Sequence, residues 1–139
     1  MRVNNYHKII TAVILLTITS VLTIVAKNKQ YPKVYMYGIA ASFNDSTIYF
    51  TDIQAVDTVW LDSKTKFLIN RNDYSYQLKN YFENIGLPHR TCVVTYALKR
   101  KDIEKKFQKT RNKYVKKGKT ELKYINKQEF QFKSVALDE

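Results

Sequence analysis

"VYMYGIAASFNDSTIYFTDIQAV", residues 34–56, is the stretch whose reading decides the fold. Aromatic and β-branched residues fill both of its arms, and the polar run Asn44-Asp45-Ser46 separates them. The stretch therefore reads as two strands around a turn. Tyr35, Tyr37, Ile39, Ala41 and Phe43 alternate onto one face of the first arm. Cross-strand packing, rather than a stacking platform for a ligand, is the ordinary use of tyrosines in that pattern. Downstream, "DTVWLD" (57–62) continues as a strand or extended edge with Trp60 as a core anchor, and "KFLI" (66–69) adds a short further strand.

The pattern then changes to helical spacing. In "DYSYQLKNYFENIG" (73–86), Tyr74, Leu78, Tyr81, Phe82 and Ile85 share one face. Asn72 or Asp73 is placed to cap the start, Gly86 to stop the helix, and Pro88 to prevent its continuation. "RTCVVTYAL" (90–98) is a near-continuous apolar run, the pattern of a central strand. "KRKDIEKKFQKTRNKYVKKGK" (99–119) follows, with eleven Lys/Arg and two acids. Ile103, Phe107, Thr110 and Tyr114 make a narrow inner stripe. Asp102 and Glu104 in the first turn and Lys116 and Lys117 in the last suit the helix dipole, and Gly118 ends the helix. "ELKYI" (121–125) and "EFQFK" (129–133) supply a final strand or hairpin, and 134–139 a frayed tail. The order predicts an α+β domain over 34–133: a two-layer sandwich of a mainly antiparallel sheet with both helices on one face.

The N-terminus has a different character. Residues 9–26, "IITAVILLTITSVLTIVA", carry no charge, with Arg2 and Lys8 before them and Lys27 and Lys29 after. A helix of that length reaches about 27 Å, near the thickness of a bilayer's hydrocarbon layer. The run is long for a signal-peptide core, and Ile24 before Ala26 makes a poor cleavage site. The expectation is an uncleaved signal anchor after a basic flank (1–8), with a cleaved signal peptide as the alternative. Residues 27–33 read as a polar linker to an exported domain in a bacterial cell membrane.

Net charge is +12, and residues 96–139 hold fourteen of the basic and six of the acidic side chains, so two-thirds of the excess sits in the last third of the chain. Lys101, Lys105, Lys106, Lys109, Arg111, Lys113, Lys116 and Lys117 are the candidate anion-contact residues, with anionic lipid, another polyanion or an envelope protein as partner. Nucleic acid is the alternative partner. It is disfavoured because nineteen lysines accompany five arginines, and lysine is poorly suited to bidentate reading of bases.

No catalytic, cofactor or metal motif emerges. Gly38, Gly86 and Gly118 are isolated, so no phosphate-cradling loop is encoded. His89 has no partner motif, and Asp52, Asp57 and Asp62 are too sparse for a calcium loop. Cys92, the single cysteine, lies in an apolar run and reads as a small buried hydrophobe. The expected function is non-enzymatic, a binding or accessory module, with a small hydrolase as the distant alternative.

"YGIAASFNDSTIYFTDIQ", "SYQLKNYF", "RTCVV" and "KKFQKTRNKYVKKG" resemble stretches in a group of small, N-terminally anchored hypothetical proteins of Bacteroidetes-type bacteria. The resemblance covers most of the chain after Lys33 and rests on no diagnostic motif. It implies a bacterial envelope setting and no particular activity.

Overall fold

The computed structural model describes residues 27–138, and in it the 34–56 stretch folds back on itself with longer arms than its apolar pattern marks. Strand β1 is Asn28–Ala41, and it is answered by β2 (Thr47–Thr51) and β3 (Gln54–Asp62). Ser42 and Asp45 hold the turn, their side-chain oxygens accepting from the N–H groups of Asn44 and Thr47. Residues 28–33, expected as part of a linker, are paired strand instead: Asn28 opposes Asp62 and Lys33 opposes Asp57. They read as a connector because most of their side chains face solvent, and an exposed strand end needs no apolar alternation.

The two arms are out of step by one residue. Ile39 pairs with Phe50 but Met36 pairs with Gln54, so Tyr37 and Gly38 face three residues, Thr51 to Ile53. That is a β-bulge, which bends the strand and increases its twist. Within it the Gly38 N–H donates to Thr51 Oγ1 at 2.9 Å. A Cβ on Gly38 would lie 2.5 Å from Leu78 Cδ2 and 3.1 Å from Phe132 Cζ, so the glycine is what lets those side chains close on the strand.

Strand β4 (Thr91–Ala97) pairs antiparallel with the opposite edge of β1, and β5 (Glu121–Ile125) pairs parallel with β2. β1 is therefore the centre of a five-stranded, mostly antiparallel sheet, and among the described residues β4 is an edge strand paired with β1 alone. This corrects the expectation that 90–98 forms the central strand. Its apolar residues are needed because both of its faces are covered by helices, not because strands flank it on both sides.

Those helices are α1 (Arg71–Asn84) and α2 (Arg100–Lys116). Tyr74, Leu78 and Phe82 of α1 join Met36, Ala40 and Val94 in one core. Ile103, Phe107 and Tyr114 of α2 join Tyr37, Ile39 and Phe50 in another. Neighbouring residues of a strand point to opposite faces. Met36 and Tyr37 thus assign the two helices to opposite sides of the sheet. The α+β class stands, but the arrangement is helix–sheet–helix rather than two layers with both helices on one face. The odd-numbered tyrosines of β1 were visible as one apolar face; the even positions Val34, Met36 and Ala40 make β1 buried on both.

The helix ends follow from local chemistry. α1 begins at Asn70, not at Asn72 or Asp73: Asn70 has φ 54 and its side chain donates to the Ala136 carbonyl instead of capping. At the other end the Gly86 N–H donates to Glu83 and the Leu87 N–H to Phe82, with Gly86 at φ 78. This is a Schellman stop, completed by Leu87 and Phe82 packing in the same core. Gly118, at φ 65, closes α2.

After β5 the chain crosses the α1 side of the sheet without forming the expected strand at 129–133. Phe130 and Phe132 are buried, and glutamine amides take the place of a neighbouring strand. Gln54 donates to the Phe130 carbonyl and accepts from the Phe132 N–H, each at 2.9 Å. Gln77 does the same for both backbone groups of Lys133. The segment expected to fray is also tied: Val135 N–H donates to Tyr74 Oη, and Ser134 Oγ to the Thr58 carbonyl.

Candidate functional site

The eight candidate anion-contact residues all lie on α2 or at its C-cap, but they do not form one surface. Ile103 marks the buried direction of the helix. At 3.6 residues per turn, Lys106, Lys113 and Lys117 fall about 40–80° to one side of it, and Lys105, Lys109 and Lys116 about 120–160° on that same side. Asp102 is the one acid among them. Lys101 points away from the sheet. Arg111 belongs to the other flank, where its Nε donates to Tyr124 Oη at 2.7 Å beside β5. That flank also holds the Arg100–Glu104 ion pair, 2.8 Å apart. Among the described residues none of the six flank lysines makes an ion pair, and all six are exposed.

The direction of the lysine flank is fixed by one contact. Lys106 Nζ donates to the Tyr96 carbonyl at 3.1 Å, so this side of α2 leans over the free edge of β4. From the opposite layer, Arg71 Nη2 donates to the Val94 carbonyl at 2.6 Å. Two successive outward carbonyls of an edge strand are thus each covered by a cation, one from each helix. Lysine and arginine on an edge are a common device against unwanted strand pairing. Arg71 carried no signal in the sequence reading, because its role depends on β4 being an edge.

An open groove borders β4 on each side. One, of ≈ 550 Å³, runs between α1 and β4 and is lined by Arg71, Ser75, Tyr76, Lys79, Cys92 and Val93 among others. The second, of ≈ 700 Å³, runs between α2 and β4 and includes Lys66, Tyr96, Leu98, Asp102, Lys105 and Lys106. Val93, in the first of them, is 46% exposed, a large apolar side chain on a strand without a second neighbour among the described residues.

The other reactive residues have the following surroundings. Burial pushes the Cys92 thiol up to about 11, which makes it a poor nucleophile at neutral pH. His89 is exposed at φ 63. Arg90 beside it is 6% exposed, with its guanidinium 4.6 Å over the Tyr49 ring and paired with Asp45. That hydrogen bond is the largest cause of a lowered Asp45 pKa, followed by the Thr47 N–H. Asp52 accepts from the Lys127 N–H, and Asp62 from Thr65 and Lys64, so both are turn-binding carboxylates. Among the described residues no group of three His, Cys, Asp or Glu is placed to hold a metal, and no helix is long and apolar enough to cross a membrane. The 9–26 segment, where the anchor is expected, lies outside the described residues.

Comparison with known proteins gives no match: no family model fits the chain, and neither a curated protein nor a solved structure is similar to it.

Proposed function

We propose that the chain is a non-enzymatic binding or accessory module of a bacterial envelope, tethered or exported by residues 9–26, that meets an anionic partner through the lysine flank of α2. The observation that carries this reading is the set of six exposed flank lysines without an ion pair among the described residues. Self-repulsion of such a row costs stability, and an acidic partner relieves it.

The sheet supports a partner other than the bilayer that a tether would enter. Only Lys27 separates the apolar run from β1, so the expected slack of seven residues is absent. Ala97, just before α2, opposes Tyr35, seven positions along β1 from Asn28, which is about 23 Å at 3.3 Å per residue. From there α2 runs towards the turn end of the hairpin, because β5 beyond it starts opposite Thr47. In a domain standing on its β1 end, the flank lies about two Debye lengths or more above that membrane surface at physiological salt. A partner approaching from the β4 side is closer.

The test compares two variants of the full-length chain in neutral detergent. One carries Gln in place of Lys105, Lys109, Lys113 and Lys116; the other carries Gln in place of Lys27, Lys29, Lys33 and Lys64, which line neither groove. Both lose the same charge. Binding to a polyglutamate polymer at low salt is expected to collapse in the first and to persist in the second. Equal losses would mean that net charge alone acts, and the reading would fall. Membrane fractionation with intact-mass measurement tests the tether: a full-length product recovered free of membranes and detergent would remove it.

A further inference from the structure

The open edge of β4 has a backbone pattern as well as a charge. Because the carbonyls of Val94 and Tyr96 face Arg71 and Lys106, and not β1, the even positions of this strand turn their backbone groups outward. Cys92, Val94 and Tyr96 therefore present three N–H groups and three carbonyls in a row. Among the described residues no acceptor takes those N–H groups. The grooves on either side are lined by Lys66, Arg71, Lys79, Lys105 and Lys106 against Asp102 alone, with Glu83 3.9 Å from Lys79 outside them.

We propose that β4 is a docking edge for an extended acidic polypeptide segment, which adds to the sheet as a further strand. This rests on the cationic-module reading and names its partner. A strand added to β4 sends successive side chains alternately to the two faces, one set towards α1 and the other towards α2. Both destinations are cationic, so the segment carries acids at consecutive positions and not on one face only. Arg71 and Lys106 turn from the strand's carbonyls to the incoming carboxylates as main-chain hydrogen bonds replace them.

Charge complementarity selects this occupant over others. A second copy of the chain would set one row of cations against another, which opposes edge-to-edge dimerisation. A phosphate backbone would satisfy the lysines and the N–H groups, but its oxygens only accept, and the outward carbonyls would face them unpaired. A polypeptide backbone supplies both donors and acceptors.

The experiment uses the full chain in neutral detergent with three labelled probes: a Glu–Val peptide of repeating Glu-Glu-Val-Val, which places acids on both faces of a strand, a Glu–Pro peptide of repeating Glu-Glu-Pro-Pro with equal length and charge, and an oligothymidylate. Binding is read by fluorescence anisotropy, and the amides of Cys92, Val94 and Tyr96 by hydrogen exchange. The expected result is binding of the Glu–Val peptide with slowed exchange at those three amides. The Glu–Pro peptide, which lacks half the backbone donors, binds about tenfold or more weakly in comparison. Equal binding of both peptides without protection of β4 overturns strand addition while leaving the cationic module intact. Binding of the oligothymidylate in preference to both peptides also overturns it. Failure of all three probes to bind overturns this proposal and the cationic module together.

Discussion

Replacing Gln54 by Met asks whether glutamine amides hold the C-terminal segment to the sheet. Methionine fills nearly the same volume but removes both hydrogen bonds, leaving the Phe130 carbonyl and the Phe132 N–H without partners. Both phenylalanines are under 10% exposed, so water gains little access to the freed groups. A buried backbone group left unpaired costs about 1–3 kcal/mol, and the better transfer of a thioether returns part of that, giving a net loss of about 2–4 kcal/mol. Gln77 provides the control, since it makes the same pair of bonds to Lys133 where solvent has access. There water replaces the amide, and Gln77→Met costs less than about 1 kcal/mol. Urea unfolding of the full chain in mild detergent, followed through the single tryptophan Trp60, measures both. With a slope of about 1–2 kcal/mol per molar, the Gln54→Met midpoint falls by about 1–4 M, and that of Gln77→Met by clearly less. Equal midpoints for the two variants would refute the assignment of the cost to burial of unpaired backbone.

The same unfolding assay separates two glycines: Gly38→Ala forces a Cβ against Leu78 and Phe132 and costs about 1–3 kcal/mol by overpacking. Gly86→Ala meets open space and costs only the left-handed penalty of about 1–2 kcal/mol, so a larger loss at Gly86 would contradict the packing described. Cys92, with its thiol pushed up to about 11, reacts with iodoacetamide at pH 8 about a hundredfold more slowly than an unperturbed thiol, recovering in urea. Fast alkylation of the folded chain would show the thiol to be open. Because the unfolded thiol ionises first, near 9, its contribution to stability is complete below that pH and declines between about 9 and 11. Asp45 has its pKa lowered by the Arg90 hydrogen bond, so its stabilising effect is present above its unfolded value of 3.8 and is lost as pH falls through the lower folded value. Asp45→Asn is expected to flatten that acid limb in a plot of midpoint against pH; an unchanged limb would mean the ion pair does not form in solution.

The elements that were legible in the sequence are those set by local pattern. The turn at 44–46, the stripe Ile103–Phe107–Thr110–Tyr114 and the glycine stops at 86 and 118 each depend on residues within a few positions of one another, and each appears where its chemistry places it. What failed was non-local. Periodicity in 34–43 shows a face with tyrosines but not that Met36 and Ala40 are covered by a second helix. An apolar run such as 90–98 is needed wherever both faces are covered, whether by strands beside it or by helices above and below. The bulge at 51–53 is a mismatch between two segments and has no signature in either alone. Polar residues misled most. Gln54 and Gln77 look like surface side chains, yet they take the part of a strand's backbone, and Asn28–Lys33 look like a linker because their pairing leaves no mark in the side chains. The lysine row itself was plain in the sequence, but which of its residues lean over β4 was not, since that depends on where β4 ends up.

The position of β4 explains why the cations belong where they are. A sheet covered on both faces still has edges, and here one of them carries an exposed valine and three N–H groups without an acceptor among the described residues. Left neutral, such an edge pairs with any extended chain it meets, including another copy. Arg71 comes from α1 and Lys106 from α2, so the edge is screened from both layers by residues whose helices are anchored in separate cores. Screening by charge differs from screening by bulk or by proline in one respect: it rejects neutral and basic strands and yields to acidic ones. In this fold, therefore, the side chains that guard the edge against aggregation are the same ones that the acidic partner proposed for β4 would meet. On that proposal, the high lysine content of α2, which stability alone does not require, serves the selection of the partner.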